Sequence, residues 1–416
     1  MLNILINAYA VAPNWGSEQG MGWNWITNIA KYCKCFVITE GEWRKEIEEA
    51  LEKHPLKNNI KFYYNPVSEE IRKMCWNQGD WRFYYYYHQW QKSTLKIAKE
   101  ICKENRIDVI HQLNMVGFRE PGLLWKIKGI PYVWGPVGGM DNITTEFIKE
   151  DSIKTKVFYN IKNFINTLQY SYQPSVRKAI KNSDVIISAV RGVDYVVKSK
   201  YNKETIIIPE TGIKSICIPI EEVKRKGNKN FELLWVGRFI STKKLDIALQ
   251  TIAKLKHIGN IKLNIVGFGM NNEEAEYRAL AKKLGIEDNC VWHGKLANNE
   301  VNDLMRKADL FFFTSIMEAT STVVLEAIQN RLPIVCHDTC GFGSIVNDSI
   351  GRKIKLRTPQ DSINDFAEVI ESLYNNKNIL EEMLHNFDNV TESLTYENKA
   401  KKVFEIYKEL TQKRIK

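Results

Sequence analysis

The sequence predicts an α/β protein of two domains, each a parallel β-sheet covered by helices, and three observations carry that prediction. The first is length: 416 residues exceed what one ordinary hydrophobic core encloses. The second is composition, 44% hydrophobic against 26% charged, which is the balance of a globular chain. The third is alternation. In both halves, short apolar runs ended by glycine or polar turns give way to segments of helical period, the pattern of strand–helix–strand units with parallel strands.

Taken in order, Leu2-Asn3-Ile4-Leu5-Ile6 is the first buried strand. It lacks the basic start and long apolar core of a signal peptide. The run Pro13–Trp23 then forms a glycine-rich loop entering a helix expected over Met21–Lys31. Gly16 and Ser17 stand where backbone N–H groups can approach phosphate or sugar oxygens; the competing reading is turn geometry alone. Gly16, Gly20 and Gly22 do not give the G-x-G-x-x-G of a dinucleotide site. A further strand, Asp108–His111, ends on a histidine, and Ile130–Trp134 leads into Gly135-Pro136-Val137-Gly138-Gly139. Ligands collect at strand ends on one edge of an open parallel sheet, although a lone histidine is as a rule structural. The first domain closes near Ile206–Gly212, and the lysine-rich stretch Glu221–Asn230 is expected as a linker.

In the second half, Leu233-Leu234-Trp235-Val236 is a strand ended by Gly237, followed by Arg238, Lys243 and a helix over Leu245–Leu255. A departing diphosphate gathers negative charge, which fixed arginine and lysine charges stabilise. Further strands are Lys262–Val266, Cys290–His293 and Ile334–Cys336. Ala308–Phe313 is another, and the segment T-S-I-M-E-A-T-S-T-V-V-L-E-A follows it. Glu318 falls at the strand's mouth, and Glu326 is expected about two turns into the next helix. Thr320, Ser321 and Thr322 lie at that helix's start, where unpaired N–H groups face an anion. Two carboxylates flanking such a cradle can accept hydrogen bonds from sugar hydroxyls. The plain alternative is an N-cap beside an ordinary glutamate pair.

These motifs resemble those of the retaining glycosyltransferases of GT-B fold, family 4 (glycosyltransferase group 1). Gly237, Arg238 and Lys243 match the family's G-R-x-x-x-x-K, and Glu318 and Glu326 its E-x(7)-E. The resemblance implies two Rossmann-like doubly wound domains facing across a cleft, with the C-terminal helix packing back on the first. On this reading residues 1–212 with 391–416 form the acceptor-binding domain and residues 213–390 the nucleotide-sugar donor domain. Arg238, Lys243, Glu318 and His111 would be catalytic, His111 because D-V-I-H matches a family pattern whose histidine reaches the sugar. Glu326 would bind the donor ribose, with Gly16, Ser17, Gly237, Thr320, Ser321 and Thr322 also donor-binding. Two departures stand out: Thr242-Lys243-Lys244 replaces the common E-K-G, and Glu318-Ala319-Thr320-Ser321 replaces E-G-F-G.

Net charge is +10, and residues 152–200 hold nine Lys/Arg against Asp184 and Asp194, with aromatic residues interleaved. Such basic, aromatic helices rest on anionic lipid or form a solvated face over an aromatic core; both readings are open. No apolar run is long enough to span a bilayer. A cytoplasmic protein, at most at the inner face of the membrane, is therefore expected. No nucleic-acid module is visible, so no nucleic-acid partner is expected. The eight cysteines lack zinc-site spacing, and no D-x-D occurs. Neither a metal nor a cofactor is expected, and a UDP- or GDP-linked sugar would be the substrate. The resemblance thus implies transfer of a sugar to a glycan or lipid-linked acceptor, with retention, in bacterial surface polysaccharide or lipopolysaccharide assembly. Alternatives are a sugar-nucleotide epimerase or glycan phosphorylase of the same fold, or a basic nucleic-acid-binding protein.

Overall fold

The computed structural model describes residues 1–77, 80–214, 216–225 and 229–415. The chain forms two compact units. Unit 1 comprises Met1–Asp141, Ile165–Gly212 and Tyr396–Lys416, and unit 2 comprises Asn142–Phe164 and Ile213–Thr395.

Unit 1 is built on seven strands: β1 (Leu2–Asn7), β2 (Cys33–Thr39), β3 (Ile60–Tyr64), β4 (Val109–Gln112), β5 (Tyr132–Val137), β6 (Val185–Ser188) and β7 (Ile206–Ile207). All pair in parallel, in the order β3-β2-β1-β4-β5-β6-β7. Ile4, Leu5 and Ile6 are fully buried, as expected where helices cover both faces of a parallel sheet. The strand order reverses between β1 and β4, where Ile6 pairs with His111 and Asn7 with Gln112. The first helix runs Ser17–Ile29, four residues earlier than expected, because Gly16 already serves as its N-cap. The C-terminal helix Tyr396–Ile415 belongs to this unit, and Ala400, Val403, Ile406 and Tyr407 join a core shared with Trp25 and Ile29.

Unit 2 carries six parallel strands: β8 (Phe231–Val236), β9 (Ile261–Val266), β10 (Cys290–Gly294), β11 (Leu310–Phe313), β12 (Ile334–His337) and β13 (Gly351–Ile354). Their order is β10-β9-β8-β11-β12-β13, with the reversal between β8 and β11. The triple Phe311-Phe312-Phe313 is almost wholly buried at the centre of this core. Each unit is therefore a Rossmann-like, doubly wound sheet.

Two boundaries differ from the sequence expectation. Residues 142–164 fall in unit 2 rather than in an unbroken first domain, because Ile143, Phe147 and Ile148 are buried in its core. Asp151 adds polar contacts there, accepting from Ser241 Oγ and pairing with Lys244 Nζ at 3.2 Å. Residues 391–395 also stay with unit 2, where Thr391 Oγ1 lies 2.7 Å from Cys217 Sγ. The expected linker is partly packed structure. Arg225 donates to the carbonyls of Arg331 (3.0 Å) and Asn330 (3.1 Å); residues 226–228 of that stretch lie outside the described residues.

Candidate functional site

The two motif loops of unit 2 leave neighbouring strands, β8 and β11, at the reversal of strand order, and side chains stitch them together. Thr314, the first residue after β11, shares its hydroxyl proton between the carbonyls of Lys243 (2.8 Å) and Lys244 (2.9 Å). The same oxygen accepts from Trp235 Nε1 at 3.0 Å. Ser315 Oγ reaches the carbonyl of Thr242 at 3.3 Å, and the Ile316 N–H donates to that carbonyl at 2.9 Å. Thr314 and Ser315 are fully buried, so these bonds exchange with little competition from water. The loop after β8 approaches β9 closely as well. A Cβ on Gly267, whose φ is +154°, would lie 1.8 Å from the Gly237 carbonyl oxygen. Only glycine fits there.

This stitching sets three charges side by side. Lys243 ends a single 3₁₀ turn, Ser241–Lys243, and its ammonium pairs with the Glu318 carboxylate while lying 5.1 Å over the Phe313 ring. Burial and the neighbouring Arg238 guanidinium push the Lys243 amine down to about 8. Glu318 is further held by Ser315 Oγ (3.0 Å), and its own N–H donates to Cys340 Sγ (3.1 Å). Arg238 is exposed, with no ion pair or hydrogen bond from its guanidinium among the described residues. Lys244 takes the left-handed φ of +50° at the position where the family pattern carries glycine. A non-glycine residue there costs about 1 kcal/mol, and the Asp151 ion pair offsets part of it.

The helix after β11 runs Thr322–Gln329 with Ser321 as N-cap. Glu326 is thus little more than one turn in, not two, because the turn 314–321 is longer than the sequence suggested. Its Oε1 accepts from Asn298 Nδ2 at 2.9 Å, and partial burial raises its carboxyl above the usual range. Thr320 and Ser321 are buried and Thr322 is exposed. The glycines missing from 319–321 have a counterpart opposite. A Cβ on Gly341 would come within 2.7 Å of Thr320 Oγ1 and 3.0 Å of the Ala319 carbonyl oxygen, so the close approach is made from the helix Cys340–Ile345.

The remaining expected site residues belong to unit 1. His111 is fully buried, with Nε2 donating to the Gly135 carbonyl (2.7 Å) and Nδ1 accepting from Tyr407 O–H (2.5 Å). Burial pushes its imidazole down to about 4. Both nitrogens are used inside unit 1, so in this structure His111 is an interior histidine tying the C-terminal helix to β4, not a group presented to a sugar. Gly16 and Ser17 are exposed, and Ser17 takes a φ of +52°. Space does not require Gly16, because a Cβ there would meet nothing within 4 Å.

Four supporting residues escaped the sequence reading. Ser315, Asn298 and Cys340 hold the two glutamates, and only Ser315, three residues before Glu318, had a local signal. The fourth is Glu18 in unit 1. One carboxylate oxygen accepts from Val116 N–H (3.0 Å), the other has no hydrogen-bond partner among the described residues, and burial raises the group to about 7.

Comparison with known proteins bears on the family resemblance and the fold. Residues 219–392 match the family model for glycosyl transferases group 1. The lipopolysaccharide glucosyltransferase WaaG of Escherichia coli K12 is 32% identical over 138 residues, covering 32% of this chain and 35% of that protein. Protein CapJ of Staphylococcus aureus is 26% identical over 224 residues, covering 52% of this chain and 53% of its own length. The matched regions thus span between about a third and about half of these curated relatives. Anabaena HepE, solved with UDP, superposes with a TM-score of 0.59 at 14% identity, covering 98% of this chain and all (100%) of that one. A solved WaaG structure gives 0.53 at 19% identity, covering 97% and 99%. Residues 219–392 accordingly resemble the group 1 glycosyl transferases, and the chain has the two-sheet GT-B fold of these solved glycosyltransferases.

Proposed function

We propose that this chain moves a sugar from a nucleoside-diphosphate donor to a hydroxyl of a glycan or lipid-linked acceptor, with retention of anomeric configuration, in assembly of a bacterial surface polysaccharide or lipopolysaccharide. One observation carries the reading: Thr314 and Ser315 bind the loop of Arg238 and Lys243 to the loop of Glu318. Two cations and a carboxylate converge where the strand order reverses. HepE of Anabaena was solved with UDP and with UDP-glucose, which supports a uridine diphosphate donor as the first to test.

In the proposed step the bond between the anomeric carbon and the diphosphate oxygen breaks as the acceptor oxygen bonds to the same face of that carbon. The acceptor's proton passes to the departing phosphate oxygen. Arg238 and Lys243 stabilise the charge that gathers on the diphosphate, Glu326 accepts from the ribose, and Glu318 orients the sugar hydroxyls. Thr320, Ser321, Thr322 and the backbone at Gly237 complete the donor cradle of unit 2. With two cations supplied by the protein, no divalent ion is required.

The test is calorimetric titration with UDP, GDP and ADP, with and without EDTA, on wild type and Arg238→Ala. One nucleotide should bind selectively and equally well in EDTA, and the variant should bind about tenfold to a hundredfold more weakly. Equal affinity in the variant, or binding abolished by EDTA, contradicts the assignment.

A further inference from the structure

Three tryptophans of unit 1 gather at one edge of its sheet. Strands β3, β2 and β1 are neighbours and run parallel, so the chain leaves all three at the same edge, where open parallel sheets collect ligands. Trp15 lies in the connection after β1 and Trp43 in the one after β2, and Trp76 ends the helix Glu69–Trp76 that follows β3. Their rings meet in a row. Trp15 and Trp43 have centroids 5.5 Å apart and Trp43 and Trp76 5.6 Å, tilted by 53° and 56°. Trp43 in the middle is 8% exposed, whereas Trp15 is 50% and Trp76 37% exposed. Two indoles left this open to water mark a surface that a ligand covers.

Both open rings are held in place. A Cβ on Gly20 would lie 1.8 Å from the Trp15 carbonyl oxygen, so the loop presses on the first helix in a way that only glycine permits. Trp76 Nε1 donates to Glu42 Oε2 at 2.8 Å. The buried Glu40 carboxylate accepts from the Glu42 N–H (2.8 Å) and holds Arg72 through Nε (3.0 Å) and Nη2 (2.8 Å). Fixed ring faces rimmed by carboxylates and a guanidinium suit a carbohydrate. The positive C–H face of a pyranose meets the negative face of an indole, and its hydroxyls find donors and acceptors at the rim. An acyl chain would strip water from Glu42 and Arg72 and return no hydrogen bond. A nucleic-acid strand also stacks on tryptophan but needs cations for its phosphates, and at this rim Glu40 and Glu42 stand against Arg72.

We propose that Trp15, Trp43 and Trp76 form a stacking platform for pyranose rings, so that the acceptor of the proposed transfer is a preassembled carbohydrate chain. The inference rests on the transferase reading for the ligand's role, and on unit 1 alone for its chemistry.

Saturation-transfer NMR on the whole chain tests it, with aromatic protein protons irradiated and maltose, cellobiose, lactose and N,N′-diacetylchitobiose as probes. At least one disaccharide should take up signal on the C–H protons of one ring face, with an affinity of about a millimolar. Trp15→Ala and Trp76→Ala should each weaken it about tenfold, and Trp15→Phe, which keeps a ring, should retain most of it. Trp81→Ala should leave the signal unchanged, since Trp81 is 77% exposed and stands outside the row. Melting temperature and UDP affinity should stay at wild-type values in all four variants. If UDP binds and no disaccharide does, the platform is overturned and the donor site stands. If disaccharides bind and no nucleotide does, the platform stands without the transfer. Signal unchanged in both alanine variants would overturn the proposal, as would dodecylphosphocholine monomers that displace every disaccharide from the wild type.

Discussion

Lys243 and Glu318 neutralise each other in unit 2, while Arg238 beside them carries no ion pair among the described residues. A diphosphate arriving at Lys243 must therefore compete with the Glu318 carboxylate for the ammonium. Glu318→Gln removes that competitor and also weakens the group proposed to orient the donor sugar. Affinity for the nucleoside diphosphate should hold or rise, whereas turnover should fall about a hundredfold. A variant that loses nucleotide affinity would show that Glu318 holds Lys243 in place for binding instead of opposing it.

Glu326 is assigned to the ribose and is held by Asn298 at 2.9 Å. Glu326→Ala should weaken the nucleoside diphosphate about tenfold or more, the usual value of a hydrogen bond to a charged group. Asn298→Ala, which frees the carboxylate without removing it, should cost less. Calorimetric titration of both variants checks the order, and unchanged affinity in Glu326→Ala would withdraw the ribose assignment.

Gly267 has no room for a side chain beside the Gly237 carbonyl, whereas a Cβ on Gly259 would meet nothing within 4 Å. Gly267→Ala should destabilise unit 2 by about 3 kcal/mol, and Gly259→Ala should remain within about 0.5 kcal/mol of wild type. Urea midpoints for the two variants give the comparison. Equal midpoints would show that the loop after β8 can move aside.

His111 is held down to about 4 by burial, below an unfolded value of about 6.5. Between those values the unfolded chain binds the extra proton, so stability rises with pH. The contribution is complete above about 6.5 and is lost as pH falls through about 4. His337 in unit 2 is held down to about 4 by burial as well. His111→Gln should flatten the fall in denaturation midpoint between neutral and mildly acid pH without abolishing it. Parallel curves for variant and wild type would mean that His111 is already protonated in the fold.

The strands were legible because buried parallel strands are written as apolar runs, as in Leu2–Ile6 and Leu233–Val236. The two charged loops of unit 2 were legible from spacing, since glycine and glutamate there serve local backbone and chemistry. His111 was not. D-V-I-H reads alike whether the ring points to a ligand or to a buried hydroxyl, and Tyr407, the partner that decides it, lies 296 residues away. Residues 153–172 show the same limit in another form. Their apolar period announces a helix face, but only the polar anchors Asn163, Asn166 and Gln169 reveal that the face points outward. The shift of residues 142–164 into unit 2 rests on Phe147 and Ile148, whose apolar character does not say which of two cores they enter.

Unit 1 is completed by Tyr396–Ile415, whose Tyr407 supplies a hydrogen bond to His111 on β4. On the ribosome this makes the order of completion the reverse of the order of synthesis. Both segments of unit 2 have emerged before residue 396, so it can close its core first, whereas the core around Trp25 and Ile29 must wait for Tyr396–Ile415. A stalled chain would therefore hold a finished unit 2 and an unfinished unit 1, with Trp25 and Ile29 uncovered and available to chaperones.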